Sequence, residues 1–546
     1  MENIKEMFLS DDGNTKDREK FLGYLEELNR IIDSRKDENK ASLNGDSSRD
    51  YSKAIKEAVI PQEGMEVERL LEEMDSLVAG HPYYTKNFML NALAPASIPS
   101  LLGFMTAGLL SCNAIWDVAS PTSAEAEIKS VAMMARIFGY NPKKAGGYFT
   151  YGGQGGIFNA LRIGMEKAAP KTNTSGVSDN IYAICSDRAH FSLKKAVETG
   201  IGKNKVILVK TNRDTSINIE DFEKKLDQLL AKGAKIAVII ATTGTTDTFA
   251  IDDVGSMKDI IDEKRYEYGL DYIPHLHADG AMGGLYSLFN QYDLEENPLE
   301  FNLETVEALR KIKNNMVNIY KADSISLDFH KLGHAPYNNS LFIVKDNKDF
   351  NLVNLDRKDC PYVGEQGYGE YFTGYTLECS RMAAGIATYC NLLCFGVEGY
   401  QKLLAHYLNL SIEFRKKLEA RSDSIRVINK EVPGPITLFR VYNNQAEYQN
   451  EIESRVTEEK ILEINKLNEH FYKILRDNRE NIMFGDTKQS IDIRSFDTKK
   501  RFNLNATKAF MTSPHTKVED LDYIIDYLMN SYKFLFNDQG LLRSSI

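Results

Sequence analysis

Between residues 181 and 345 short β-rich runs alternate with helical ones, and no other feature of this sequence limits the fold as strongly. The strand runs are IYAICS, KVILVK, KIAVIIATT, IPHLHAD, SISLD and SLFIVK; helical patterns such as FEKKLDQLLAKG and VGSMKDIIDEKRYEYG separate several of them. Parallel strands need a crossover long enough to return the chain to the same sheet edge, and a helix is the usual filler. The pattern predicts an α/β layer around a largely parallel sheet. Helical periodicity dominates from about 65 to 140, and the turn GGYFTYGGQGG then opens the helical run IFNALRIGMEKAA. Helix returns from 376 to about 422, followed by mixed structure. The reading divides the chain into an N-terminal helical segment (1–140), a large α/β domain (141–395) and a small C-terminal α+β domain (396–546). Within the first 60 residues SRKDENKASLNGDSSRD is a polar break between charged helices. NNQAEYQNEIESR reads as an exposed connection. Thr516 and Glu519 read as the capping box of the last helix.

Composition narrows the classes. A chain of 546 residues, 42% hydrophobic and 27% charged, is an ordinary globular protein. The 67 basic and 78 acidic residues leave a net charge of −11 without a Lys/Arg block, which argues against a nucleic-acid surface. Cys112, Cys185, Cys360, Cys379, Cys390 and Cys394 show no CxxC spacing and read as reduced thiols of a cytoplasmic protein. The start, MENIKEMFLSDDGNTKDREK, lacks the apolar core of a signal peptide. Residues 87–116 carry no charge, but Pro95, Pro99, Gly103 and Gly108 point to a buried helix beside a pocket rather than a membrane span.

Four features in the α/β segment bear chemistry. Thr150-Tyr151-Gly152-Gly153-Gln154-Gly155-Gly156 precedes a helix, where bare backbone N–H groups and the helix dipole favour an anion. No Gly-Lys-Ser/Thr follows, so it is not a Walker loop. His190, in CSDRAHFSLKKA, stands at a strand-to-helix junction; Asp279, in HLHADGAMGG, ends a β-rich run; Lys331 follows His330 in DSISLDFHK. Taken singly, each has a plain structural reading: a flexible turn, a core or capping histidine, a helix-capping aspartate, a solvated lysine. Taken together and in this order, they supply what a pyridoxal-5′-phosphate (PLP) site requires. A lysine forms the Schiff base, a carboxylate keeps the pyridine nitrogen protonated, N–H groups hold the phosphate and a flat ring lies on the cofactor.

The same residues resemble the group II PLP-dependent amino-acid decarboxylases of fold type I, and among them the bacterial tyrosine decarboxylases. HADGAMGG and SISLDFHKLGHAPY match the family's HADAAYGG-like and SITIDPHKMG-like motifs; SPTSAEAEI, RIFGYNP, GYTLECSRMAAG, GVEGY and NKLNEHFY extend the likeness over roughly residues 80–530. The resemblance implies a homodimer and α-decarboxylation of an L-amino acid, an aromatic one such as tyrosine, to its amine and CO₂. It implies Lys331 as Schiff-base lysine, Asp279 as pyridinium partner and His190 and Ala281 on the two ring faces. It also implies Gly152, Gly153 and His330 at the phosphate, Thr246 near the cofactor, and Tyr362 as proton donor on a mobile loop that also holds Tyr368 and Tyr371. Gly280, Met282, His334 and Ala335 depart from the family pattern and bear on the substrate. Aldehyde synthases, sphingosine-phosphate-type lyases and non-catalytic proteins of the same fold are the other classes such motifs allow.

Overall fold

The structure, a computed structural model, describes residues 2–356, 359 and 370–542. Its first strand, β1 (Phe88–Met89), joins a sheet completed by the far end of the chain. The large sheet contains β2 (Gly146–Thr150), β3 (Ile181–Ser186), β4 (Val206–Val209), β5 (Lys235–Thr242), β6 (His275–Asp279), β7 (Ser324–Asp328) and β8 (Ser340–Val344). All six runs expected from the sequence are present. The strand order is β2-β8-β7-β6-β5-β3-β4. β8 runs antiparallel to both β7 and β2, while β4, β3, β5, β6 and β7 pair in parallel.

Helices cover the sheet, so β6, β7 and β8 are buried along their whole length, as crossover connections require. The helix Gly153–Ala168 lies unusually close: a Cβ on Gly164 would stand 2.1 Å from the Ala237 carbonyl oxygen. Only glycine permits that approach.

The smaller sheet adds β9 (Ile425–Val427), β10 (Ile436–Val441), β11 (Met483–Thr487) and, after a hairpin of β12 (Asp492–Arg494) and β13 (Arg501–Asn503), β14 (Ala506–Phe510). Its order is β1-β11-β14-β10-β9. The long helix Ala384–Arg421 is interrupted at Gly396, whose φ of 59° and ψ of −170° are not helical.

Three expectations need correction. The polar stretch at 443–455 forms the helix Gln445–Ile452, because Glu451 is drawn inside to pair with Arg440. Thr516 caps nothing: its hydroxyl donates to the Lys86 carbonyl, and the last helix starts at Asp520. The helix in 87–116, Ile98–Leu109, packs only one flank, with Ser100 and Gly103 buried, and leaves Ile98 and Leu102 75% and 60% exposed. No helix among the described residues is long and apolar enough to cross a membrane.

Candidate functional site

β2, β3, β5, β6 and β7 all point the same way, so the segments that follow them emerge at one edge of the sheet. The glycine turn follows β2, His190 follows β3, Thr246 follows β5, Asp279 closes β6 and Lys331 follows β7. The carboxyl edge of an open α/β sheet is where such folds place ligands.

Lys331 Nζ lies 2.8 Å from Asp328 Oδ2. The Ser340 hydroxyl donates to Asp328 Oδ1 at 2.5 Å, and His330 Nε2 stands 3.5 Å from Oδ2. Burial pushes the Asp328 carboxyl up, but Lys331 and His330 outweigh it and hold it below the usual range. Asp279 is also buried. Its Oδ1 accepts the Ala281 N–H at 3.2 Å and the Ser326 hydroxyl at 3.5 Å. Burial leaves it above the usual carboxylate range even though the charge of Lys331 works the other way. Two buried carboxylates thus share the field of one lysine.

The glycine turn closes on this cluster. A Cβ on Gly153 would lie 3.1 Å from Asp328 Oδ1 and 3.3 Å from the Ala281 methyl group. Gly152, with φ of 132°, begins the helix without any side-chain cap, and a Cβ there would meet nothing within 4 Å. Bare first-turn N–H groups beside open space suit a phosphate.

His190 caps the helix Phe191–Gly200 through Nδ1, which accepts the Ser192 N–H at 3.3 Å. The capping role is therefore real, and the ring also lies in the field of the site. Burial, followed by the charge of Lys331, pushes it down to about 4, so the imidazole is neutral. His330 is likewise pushed down by burial. The Thr246 carbonyl accepts from Lys508 Nζ at 3.4 Å, and Asp247 Oδ1 lies 3.1 Å from the same nitrogen.

Some residues were not singled out from the sequence. Lys508 is buried on β14 and brings the C-terminal sheet to the turn after β5; a lysine inside the apolar strand ATKAF was the available signal. The Tyr337 ring packs on His330 with centroids 4.1 Å apart. Glu127 and Arg381 form a buried pair at 2.8 Å that holds the outer edge of β2: Glu127 accepts the Phe149 N–H and Arg381 donates to the Phe149 carbonyl. The Tyr371 hydroxyl donates to Glu127 at 2.5 Å and so joins this buried pair. Tyr362 and Tyr368 lie outside the described residues. His334 spends Nδ1 on the Pro95 carbonyl at 2.7 Å and Nε2 on the Tyr407 hydroxyl at 2.8 Å, and Met282 is packed in the core. Among the described residues no group of three His, Cys, Asp or Glu could hold a metal ion.

A lysine amine, a buried carboxylate and an uncapped helix N-terminus on one edge are the groups PLP needs. Comparison with known proteins agrees. The chain is 24% identical over 390 residues to L-2,4-diaminobutyrate decarboxylase of Acinetobacter baumannii, covering 66% of this chain and 68% of that protein. It is 26% identical over 254 residues to L-tyrosine decarboxylase of Enterococcus faecium, covering 42% and 39% respectively. The fold matches the crystal structure of Oryza sativa TDC with PLP and tryptamine with a TM-score of 0.74 at 14% identity, over 96% of this chain and 100% of that one. It is PLP-dependent fold type I. The relatives act on chemically different amino acids, so the comparisons carry no special closeness to tyrosine decarboxylases. The model of the pyridoxal-dependent decarboxylase conserved domain matches residues 50–301 and 305–442, and the chain belongs to that family.

Proposed function

We propose that this chain decarboxylates an aromatic L-amino acid, tyrosine first, to the amine and CO₂. The observation that carries the reaction is the convergence of Lys331, Asp279 and the uncapped turn Gly152–Gly153 on one sheet edge. PLP held there would supply the electron sink that accepts the electron pair left when CO₂ departs. Lys331 would carry the cofactor covalently. Asp279, steadied by Ala281 N–H and the Ser326 hydroxyl, would keep the pyridine nitrogen protonated. Gly152, Gly153 and His330 would receive the phosphate, with Thr246 near the cofactor and His190 and Ala281 flanking the ring. A neutral His190 suits that place, since it adds no charge beside a cationic ring. Delivery of a proton to Cα is assigned to Tyr362 on sequence grounds alone.

The aromatic preference rests on the motif likeness and on Tyr337, whose ring packs on His330 while staying 44% exposed, a flat surface next to the site. The test is incubation of the purified protein and PLP with the twenty amino acids and L-2,4-diaminobutyrate, reading amine and CO₂ by mass spectrometry. Preference for an acidic or basic amino acid would overturn the aromatic assignment. We also propose a cytoplasmic homodimer in which a second copy covers the exposed face of helix Ile98–Leu109; sedimentation at the monomer mass would refute the dimer.

A further inference from the structure

Side chains at alternate positions of a strand share a face, so His275, His277 and Asp279 of β6 point the same way. On the neighbouring strand Ser324 pairs with His277 and Ser326 with Asp279. This polar row is buried beneath the helix Gly153–Ala168, which has glycine where the row needs room: Cβ atoms on Gly164 and Gly156 would meet His275 Cβ at 3.2 Å and Ser326 Cβ at 2.7 Å. The contacts are continuous from one end to the other. Lys167 Nζ is 3.2 Å from His275 Nδ1, and His275 Nε2 is 2.7 Å from Ser324 Oγ. Ser324 Oγ is 2.8 Å from His277 Nδ1, and His277 Nε2 is 3.1 Å from Ser326 Oγ. Ser326 Oγ is 3.5 Å from Asp279 Oδ1.

The two ends set the direction of every bond. An ammonium can only donate, so His275 Nδ1 accepts and its one proton sits on Nε2, donating to Ser324. Ser324 then donates to His277 Nδ1, whose Nε2–H donates to Ser326, and the Ser326 hydroxyl donates to the carboxylate. Each imidazole uses one donor and one acceptor, which is the neutral form. Burial agrees, pushing His277 down to about 3 and His275 well below the ordinary value.

We infer that Lys167, His275, Ser324, His277 and Ser326 form one polarised hydrogen-bond chain whose last hydroxyl orients Asp279 and favours its ionised form. Lys167 is thereby a positioning residue for the cofactor end of β6, although it sits at the opposite end of that strand, where it also pairs with Asp349 at 2.6 Å. Bonds in such a chain polarise one another in the low-dielectric interior, so loss of the first weakens the last. The inference rests on the reading of Asp279 as the pyridinium partner.

The test uses the holoenzyme and two readouts besides turnover: retention of PLP on dialysis and the visible absorbance of the bound cofactor. Ser326→Ala removes the bond to the carboxylate and is expected to weaken retention about tenfold. Lys167→Met is expected to weaken it about threefold and move the absorbance the same way, with Lys167→Arg restoring both. Asp349→Asn breaks the ion pair but leaves Lys167 able to donate, and should change neither readout. If Lys167→Met leaves retention and absorbance at wild-type values while Ser326→Ala does not, the chain transmits nothing and the inference fails. It also fails if Asp349→Asn reproduces Lys167→Met. An Asp279→Asn variant with unaltered retention and absorbance would instead remove the assignment of Asp279 itself.

Discussion

Two regions of the molecule bury charge, and they do it in opposite ways. In the C-terminal sheet Arg440 and Glu451 are both 0% exposed and meet at 2.8 Å. The Tyr442 hydroxyl takes the other Glu451 oxygen at 2.7 Å, and Arg440 Nη1 also donates to Asn465 at 2.9 Å. One positive charge faces one negative charge, and both carboxylate oxygens are occupied. At the carboxyl edge of the large sheet, Asp279 and Asp328 face Lys331, whose side chain is 20% exposed. Two carboxyl groups face one ammonium, and burial holds the Asp279 carboxyl above its usual range, so its ionised form lacks a partner. A cluster that balances itself holds the fold together. One that does not is poised to receive a cation, and a protonated pyridine ring is such a cation.

That contrast can be broken by mutation. The largest effect is expected from Lys331→Ala: no amine above background and no borohydride-stable cofactor label on that peptide. Its melting temperature should fall only modestly, because Asp328 keeps its Ser340 and His330 partners and a buried carboxyl left without its lysine can take up a proton. A label on another lysine would move the site. Glu451→Gln should do the reverse. Stranding Arg440 as a buried unpaired charge costs about 3–5 kcal/mol in denaturant titration, with turnover per folded molecule unchanged. Lost turnover in the folded fraction would show that the two clusters are not separable.

The smallest effect sharpens the comparison through pH. His190 and His334 are pushed down by burial to about 4, and His277 to about 3, whereas the unfolded chain protonates them near about 6.5. The unfolded state therefore binds protons first on acidification. The stability these residues lend by staying neutral is complete above about pH 6.5 and drains away as pH falls toward about 4. Denaturant midpoints measured across that window should fall, and His334→Asn should flatten the slope. A wild-type midpoint that rises on acidification would contradict buried neutral histidines.

The large sheet was legible because crossover connections force nearly continuous apolar runs, and a run such as KIAVIIATT admits few other readings. Lys331, Asp279 and the glycine turn were legible because their spacing follows the strand ends. Glu451 was not, since a glutamate among glutamines and asparagines looks solvated until the Arg440 opposite it is known. Thr516 misled for a related reason: a capping motif is local, and the Lys86 carbonyl that claims its hydroxyl comes from a distant part of the chain. The polar row of β6 and β7 was visible as His and Ser at every second position, but its meaning depends on pairing register, which a single chain segment does not carry.

The two-residue strand β1 has a consequence for how the protein tolerates trimming. Phe88 and Met89 pair in parallel with Met483 and Phe484, and so cover the outer border of the smaller sheet. A chain cut just after residue 90 would retain every residue assigned to the cofactor yet present β11 as an open, apolar border. Unpaired borders of this kind recruit strands from other molecules. Such a shortened protein should therefore tend to self-associate and precipitate, a fault of its rim rather than of its active centre.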